Sequence, residues 1–212
     1  MKSLMILLAL SLFVGSKNTH CNEQQGFINF SNTKKLYIVC RSTTSKSALI
    51  AQKFNLKDKK ITHCGLGFFS KKGFEIYNVT DVTKNKKRAL IIDSWDTFSK
   101  IDGVYYISVW ELNISNFPLN EARSLCNEYV KKEIFFDYDF KIGNNNSFYC
   151  SEFCAFILNN INFKNIHFEP EVLKIEDKLY RSFLNRETLI YFPVDFFQNN
   201  TMFKKVYEFE NK

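Results

Sequence analysis

The chain has 212 residues, is 45% hydrophobic and 24% charged, and carries a formal net charge of +7. That is enough for one domain with its own core and too little for two full ones. With only 7 Gly and 3 Pro, no fixed-period repeat and no long low-complexity tract, solenoid, collagen-like and linker-dominated chains are excluded.

The opening MKSLMILLALSLFVGS has one lysine, an apolar run from Leu4 to Val14 and then small residues, the pattern of a secretory signal. The run is too short for a comfortable membrane span. Val14 and Ser16 suit the positions three and one before a cut, so residues 1–16 read as a signal peptide. Residues 17–35 then form an N-terminal segment, and 36–212 a single domain. The expected location is outside the cytoplasm: periplasmic, envelope-associated or secreted. Cys21 follows Asn-Thr-His rather than the small residues that precede a lipidated cysteine, which makes a lipid anchor there the lesser alternative. Cleavage removes one charge, Lys2, and the mature chain stays basic, compatible with association to an anionic membrane surface. Its basic clusters, such as Lys84, Lys86, Lys87 and Arg88, lack the interleaved aromatics or motif of a nucleic-acid reader and read as solvated surface, so no nucleic acid is expected as partner.

In chain order, Leu36–Cys40 (LYIVC) reads as a strand, and STTSKSALIAQKF as a short helix capped near Thr43 or Thr44. ITHCGLGFF and FEIYNVTDV flank the turn SKKG and predict a hairpin. After the basic loop, ALIIDSW and GVYYISVWEL predict two further strands. Strands joined by short connections imply an antiparallel sheet. NEARSLCNEYVKK predicts a helix capped by Asn120, with Ala122, Leu125, Cys126 and Tyr129 on one face. The patch IFFDYDF and the polar run GNNNS lead to a second, broadly apolar helix starting at Cys150. KIEDKLYRSFLN reads as helix, and TLIYFPVDFF as a strand ending at Pro193. The fold class is α+β, helices packed on an antiparallel sheet.

Cys150 and Cys154 stand at i and i+4, on one helix face. A zinc site needs three or four ligands, and neither His63 nor His167 has ligand-pair spacing to a cysteine, so no metal is expected. A disulfide between two thiols on one helical face is awkward geometrically. Cys154 reads as a small buried hydrophobe. Cys150 lies in the first helical turn, where free N–H groups and the positive dipole end favour a thiolate and can stabilise an oxyanion.

His63 supplies a candidate base. Period-two alternation puts Thr62, Cys64, Leu66 and Phe68 on the core face, and His63, Gly65, Gly67 and Phe69 on the other. The two glycines leave space there for a helix end or a substrate. If Lys71 and Lys72 form the loop, Ser70 faces Gly73, Gly65 faces Asn78, and Asn78 can accept the imidazole N–H and orient the ring. A register one residue off would make Glu75 or Asp81 the orienter instead.

THCGLGFFSKKGFEIYNV, followed much later by FDYDF and FYCSEFCAFIL, resembles the circularly permuted, YiiX-like branch of the NlpC-type papain-like hydrolases. The match lies in His63-Cys64-Gly65 and in Tyr149-Cys150-Ser151-Glu152, with Phe136, Asp137 and Phe140 resembling the stretch before the second motif. The coarse resemblance spans about residues 36–193. It departs at Asn78, where that branch usually has Glu; Asn in this role is familiar from papain-like enzymes generally. The resemblance implies a permuted papain-like fold, an antiparallel sheet or partial barrel against helices, and a thiol hydrolase without cofactor. In it Cys150 is the nucleophile, His63 the general base and Asn78 its orienter. The Cys150 backbone N–H contributes to an oxyanion hole, and Tyr149 adds a donor or positions substrate. Ser151 and Glu152 read as capping or surface groups and Asp137 as a loop stabiliser. The substrate is expected to be a cell-envelope peptide, an N-acyl amide or a lipid. The alternatives are a lipid-directed acyltransferase or thioesterase, or a noncatalytic lipid-binding relative.

Overall fold

The computed structural model describes residues 32–44, 46–81, 88–164 and 166–211, all within one compact unit. The expected signal peptide, most of the segment 17–35, Cys21 and Lys84, Lys86 and Lys87 lie outside the described residues.

A six-stranded sheet carries the fold. Its strands are β1 (Leu36–Thr43), β2 (His63–Ser70), β3 (Gly73–Val79), β4 (Leu90–Ser94), β5 (Val104–Leu112) and β10 (Phe203–Glu210), in the spatial order β10-β5-β1-β2-β3-β4. All neighbours are antiparallel. The β2–β3 register is the one expected, with Ser70 opposite Gly73 and Leu66 opposite Tyr77, which sets Gly65 beside Asn78. Glu75 is thereby turned elsewhere, paired with Arg123, while Asp81 accepts from the Tyr138 hydroxyl.

The two faces of the sheet are used differently. Leu36, Ile38, Cys40, Cys64, Leu66, Phe68, Tyr77 and Val79 belong to the main core. Against β2 and β3 packs helix α4 (Cys150–Asn159), which is also next to α3 (Leu119–Lys131). Fully buried aromatics such as Phe153 and Phe148 contribute on the order of 2–3 kcal/mol each to this layer. The other face is closed by the sheet itself. Trp95, directly after edge strand β4, packs edge-on against Tyr207 in the opposite edge strand β10, 5.6 Å between ring centroids. The sheet therefore curls until its two edges approach, and short helix α2 (Trp95–Ser99) covers the concave side.

Several expectations need correction. Trp95 does not extend β4: Ser94 accepts from the Thr97 N–H at 3.1 Å and caps α2. Asn120 does not cap α3, whose N-cap is Pro118 without a side-chain bond. Thr43 ends β1 rather than capping the next helix, α1 (Lys46–Phe54). The last predicted strand stops at Tyr191: β9 (Thr188–Tyr191) pairs with β8 (Glu171–Lys174), and α5 (Lys178–Leu184) lies between them. Before α4, two-residue strands β6 (Phe135–Phe136) and β7 (Ser147–Phe148) pair in parallel. Asp137 braces their loop as expected, accepting from the Asp139 and Lys141 N–H groups at 2.9 and 2.6 Å.

The tail ties these parts together. Fully buried Asp195 accepts from three successive N–H groups, Leu56, Lys57 and Asp58, at 2.7 to 2.9 Å. Asn55 accepts from the Val194 N–H and donates to the carbonyls of Asp58 and Ile61. The loop leading into β2 is thus organised from a segment far along the chain. Asp195→Ala, which strips three backbone donors of their acceptor, is expected to cost about 2–4 kcal/mol in urea denaturation. A loss below about 0.5 kcal/mol would contradict this role.

Candidate active site

His63 is the first residue of β2 and Cys150 the first of α4. The curled sheet and the packed helix bring these two element starts together, and the imidazole acts directly on the thiol, pulling its pKa down. The larger effects go the other way. The neighbouring Cys64 thiol and burial, with only 7% of Cys150 exposed, push its pKa above the usual thiol range. The expected thiolate-favouring effect of the helix start is therefore outweighed, because the sulfur sits in a buried group of thiols rather than at an open helix mouth. Cys64 interacts with both Cys150 and Cys154, so the two cysteines of α4 do share a face, turned to β2. Cys40, Cys64, Cys126, Cys150 and Cys154 are all buried and free of disulfides.

His63 Nε2 lies 3.0 Å from Asn78 Oδ1. The orientation of this amide is fixed by what its nitrogen touches. Asn78 Nδ2 donates to Asp93 Oδ2 at 3.1 Å and to the Ile76 carbonyl at 3.4 Å, two groups that only accept. The oxygen must then face His63, so Nε2 carries the hydrogen and Nδ1 is left with a lone pair. Asn78 is fully buried.

Gly65 and Gly67 do open space, but not for a helix end or a substrate. A Cβ on Gly65 would fall 2.8 Å from Asn78 Cβ and 2.9 Å from the Tyr77 carbonyl oxygen; one on Gly67 would strike the Phe74 ring at 2.4 Å. Neighbouring side chains fill the room, and Gly65 is what lets Asn78 stand beside His63.

Arg41, Phe98 and Asp93 complete the surroundings. Arg41 lies directly opposite His63 in the β1–β2 register. Its guanidinium stacks on the Phe98 ring at 4.3 Å and donates to the Phe98 carbonyl at 3.0 Å. Burial lowers its pKa to about 10. The Phe98 ring also packs beside the His63 ring, 5.8 Å between centroids. Sequence reading overlooked all three. A buried acid in the strand LIIDS and an arginine ending an otherwise apolar strand were the available signals.

The helix start is seated by the tail. The Tyr149 hydroxyl accepts from the Phe192 N–H at 2.8 Å and Ser151 Oγ donates to the Phe192 carbonyl at 2.6 Å. Tyr149, expected to contact an oxyanion or substrate, is placed as a buried anchor, and Ser151 is core rather than surface. Glu152 is buried too; it accepts from the Tyr149 N–H at 3.4 Å, half of a capping box. The Cys150 N–H, in the first turn of α4, has no acceptor within the helix. His167 is exposed and pairs with Glu169 at 2.7 Å, outside this site.

Two outcomes follow. Gly65→Ala displaces Asn78 and is expected to cost about 1–3 kcal/mol by thermal denaturation while weakening the His63–Asn78 contact; an unchanged stability and an unchanged His63 NMR spectrum would contradict the packing. Burial raises the Glu152 pKa to about 8 from 4.5. Since the folded chain then holds this proton more tightly than the unfolded one, stability attributable to Glu152 is full below about pH 4.5 and declines towards pH 8. Glu152→Gln is expected to flatten that decline in denaturation curves measured across the interval; the same slope in both proteins would contradict it.

No protein-family model matches the chain, and no curated protein matches it significantly by sequence. In structure it is similar to a solved protein described as the metalloprotein YiiX from Escherichia coli O157:H7, DUF1105, with a TM-score of 0.59 and 14% identity over 84% of this chain and 98% of the other. At that identity the likeness shows the fold, a mixed α and β arrangement around a large antiparallel sheet. Among the described residues no group of three or more His, Cys, Asp or Glu side chains is placed to hold a metal ion.

Proposed function

We propose that this chain is an exported cysteine hydrolase with a permuted papain-like fold, cleaving an amide, peptide or N-acyl, of a cell-envelope substrate. The observation that carries the reading is the convergence of Cys150, His63 and Asn78 in the order nucleophile, base and orienter. Similarity of fold to YiiX adds to it.

The chemistry follows from the arrangement. His63 Nδ1 takes the Cys150 proton as sulfur attacks the substrate carbonyl, and the Nε2–H bond to Asn78 steadies the resulting imidazolium. The tetrahedral oxyanion is met by the Cys150 N–H at the helix start. Collapse expels the amine, which takes the proton back from His63 and leaves a thioester on Cys150. Water, deprotonated by His63, then attacks the thioester, releases the acid and restores the thiol. Because burial and Cys64 hold the resting sulfur as a thiol, His63 is needed to remove the proton at the moment of attack rather than to maintain a standing thiolate.

A lipid or acyl-chain substrate is the second reading, favoured by the exposed Leu179 and Phe183 of α5, 75% and 69% accessible, and Val172 of β8 at 68%.

Carboxamidomethylation of Cys150, followed by peptide mass spectrometry, tests the pair. The rate is expected to climb with pH and to fall about 10²-fold in His63→Ala; equal rates in the two proteins would contradict activation. Incubation with peptidoglycan fragments, N-acyl amides and phospholipids then identifies the substrate class by release that Cys150→Ala abolishes.

A further inference from the structure

The His63–Asn78 pair is only as well defined as the orientation of the Asn78 amide, and an amide turned end for end would reverse its meaning. With the nitrogen towards His63, the ring would need its lone pair on Nε2, its proton would move to Nδ1, and Nδ1, the nitrogen that Asn78 leaves free, could no longer accept a proton. One side chain opposes that reversal. Asp93 stands opposite Ile76 in the β3–β4 register, so its carboxylate lies diagonally beside Asn78 on the concave face, where Oδ2 accepts from Asn78 Nδ2 at 3.1 Å. The Ile76 carbonyl accepts from the same nitrogen, but at 3.4 Å and from within the same strand.

Asp93 is itself almost completely buried. An acid drawn into a strand face at that depth is costly unless its charge is answered. The answer comes from Asn78 on one side and from the Arg41 guanidinium, which lies within electrostatic reach without forming a direct ion pair. Arg41 is in turn held by the Phe98 ring and carbonyl. The concave face thus carries a row of groups, Arg41, Asp93, Asn78 and His63, and the imidazole at the end of β2 acts on the Cys150 thiol of α4. Ile91 and Ile92, the other residues of β4 facing β3 at this end, bring no competing polar group.

We infer that Asp93 is a positioning residue for the proposed hydrolase: by accepting from Asn78 Nδ2 it fixes the Asn78 amide and thereby selects the His63 tautomer protonated on Nε2, leaving Nδ1 to receive the Cys150 proton. The inference rests on the catalytic reading only for its consequence; the selection of the tautomer stands on the hydrogen-bond geometry.

Nitrogen-15 NMR of the imidazoles separates the two. The chain has three histidines, so His63 is assigned from a single His63→Ala spectrum. In the parent protein, at a pH where the ring is neutral, His63 is expected as one tautomer protonated on Nε2. In Asp93→Ala it is expected to become a mixture, and Cys150 carboxamidomethylation to slow about tenfold, part of the 10²- to 10⁴-fold that a positioned base supplies. Asp93→Asn, whose side-chain carbonyl can accept the same hydrogen, is expected to restore the tautomer and most of the rate. Should the alanine variant not fold, Asp93→Leu, similar in size and unable to accept, takes its place. A tautomer unchanged in Asp93→Ala or Asp93→Leu would overturn the inference, and so would an asparagine variant no better than the alanine one. A tautomer that shifts while Cys150 reactivity stays indifferent to His63 would sustain the positioning role and defeat the hydrolase reading instead.

Discussion

Phe192 is gripped on both sides of its backbone: its N–H donates to the Tyr149 hydroxyl and its carbonyl accepts from Ser151. Two and three residues later, the Val194 N–H donates to Asn55 and Asp195 collects three N–H groups of the loop that leads into β2. A four-residue stretch therefore bonds at one end to the start of α4, where Cys150 stands, and at the other to the approach to His63. Each bond is worth only about 1 kcal/mol net, but those to Tyr149, Ser151 and Asn55 are buried, and breaking one of them leaves a donor or acceptor with no water to replace it; the three that Asp195 accepts are part-buried. The thiol and the imidazole meet because both of their element starts are fastened to this one segment.

The concave face of the sheet does the remaining work. Curling brings Trp95 and Tyr207 from opposite edges into contact and encloses a polar row within an apolar wall. In such surroundings each hydrogen bond has few competitors, and orientation becomes definite: Asp93 and the Ile76 carbonyl decide how Asn78 lies, and Asn78 decides which nitrogen of His63 is protonated. On the opposite face, burial beside Cys64 under α4 explains why Cys150 rests as a thiol. A nucleophile buried among other thiols gains protection from solvent and depends on its base when it reacts.

How much of this was legible in the sequence varied with the range of the interactions involved. The β2–β3 hairpin was legible from its tight loop and period-two alternation, which left two registers one residue apart; the one with Lys71 and Lys72 as the loop is the one formed, and it places Asn78 beside His63. The helix at Cys150 was legible from its apolar length. Strand β10 was not, because as an edge strand FKKVYEFE exposes charges and shows little alternation, and β8, with most of its side chains exposed, gave even less signal. The Phe192–Asp195 clamp was invisible for a different reason: side chains bonding to a distant backbone follow no period. The glycines were rightly read as making room, but what fills that room, Asn78 and Phe74, depends on the neighbouring strand. Asp93 and Arg41 acquire meaning only when strands far apart in sequence lie side by side.

The account stands or falls on whether Cys150 forms a covalent acyl intermediate with the help of His63. The direct measurement is intact-protein and peptide mass spectrometry after brief mixing with p-nitrophenyl acetate, in the parent chain, Cys150→Ala and His63→Ala. The account predicts an acetyl group on Cys150 of the parent chain, accompanied by a burst of p-nitrophenol, with both absent from Cys150→Ala and strongly reduced in His63→Ala. Acetylation spread over lysines with none on Cys150, or acetylation of Cys150 at the same rate without His63, would contradict it.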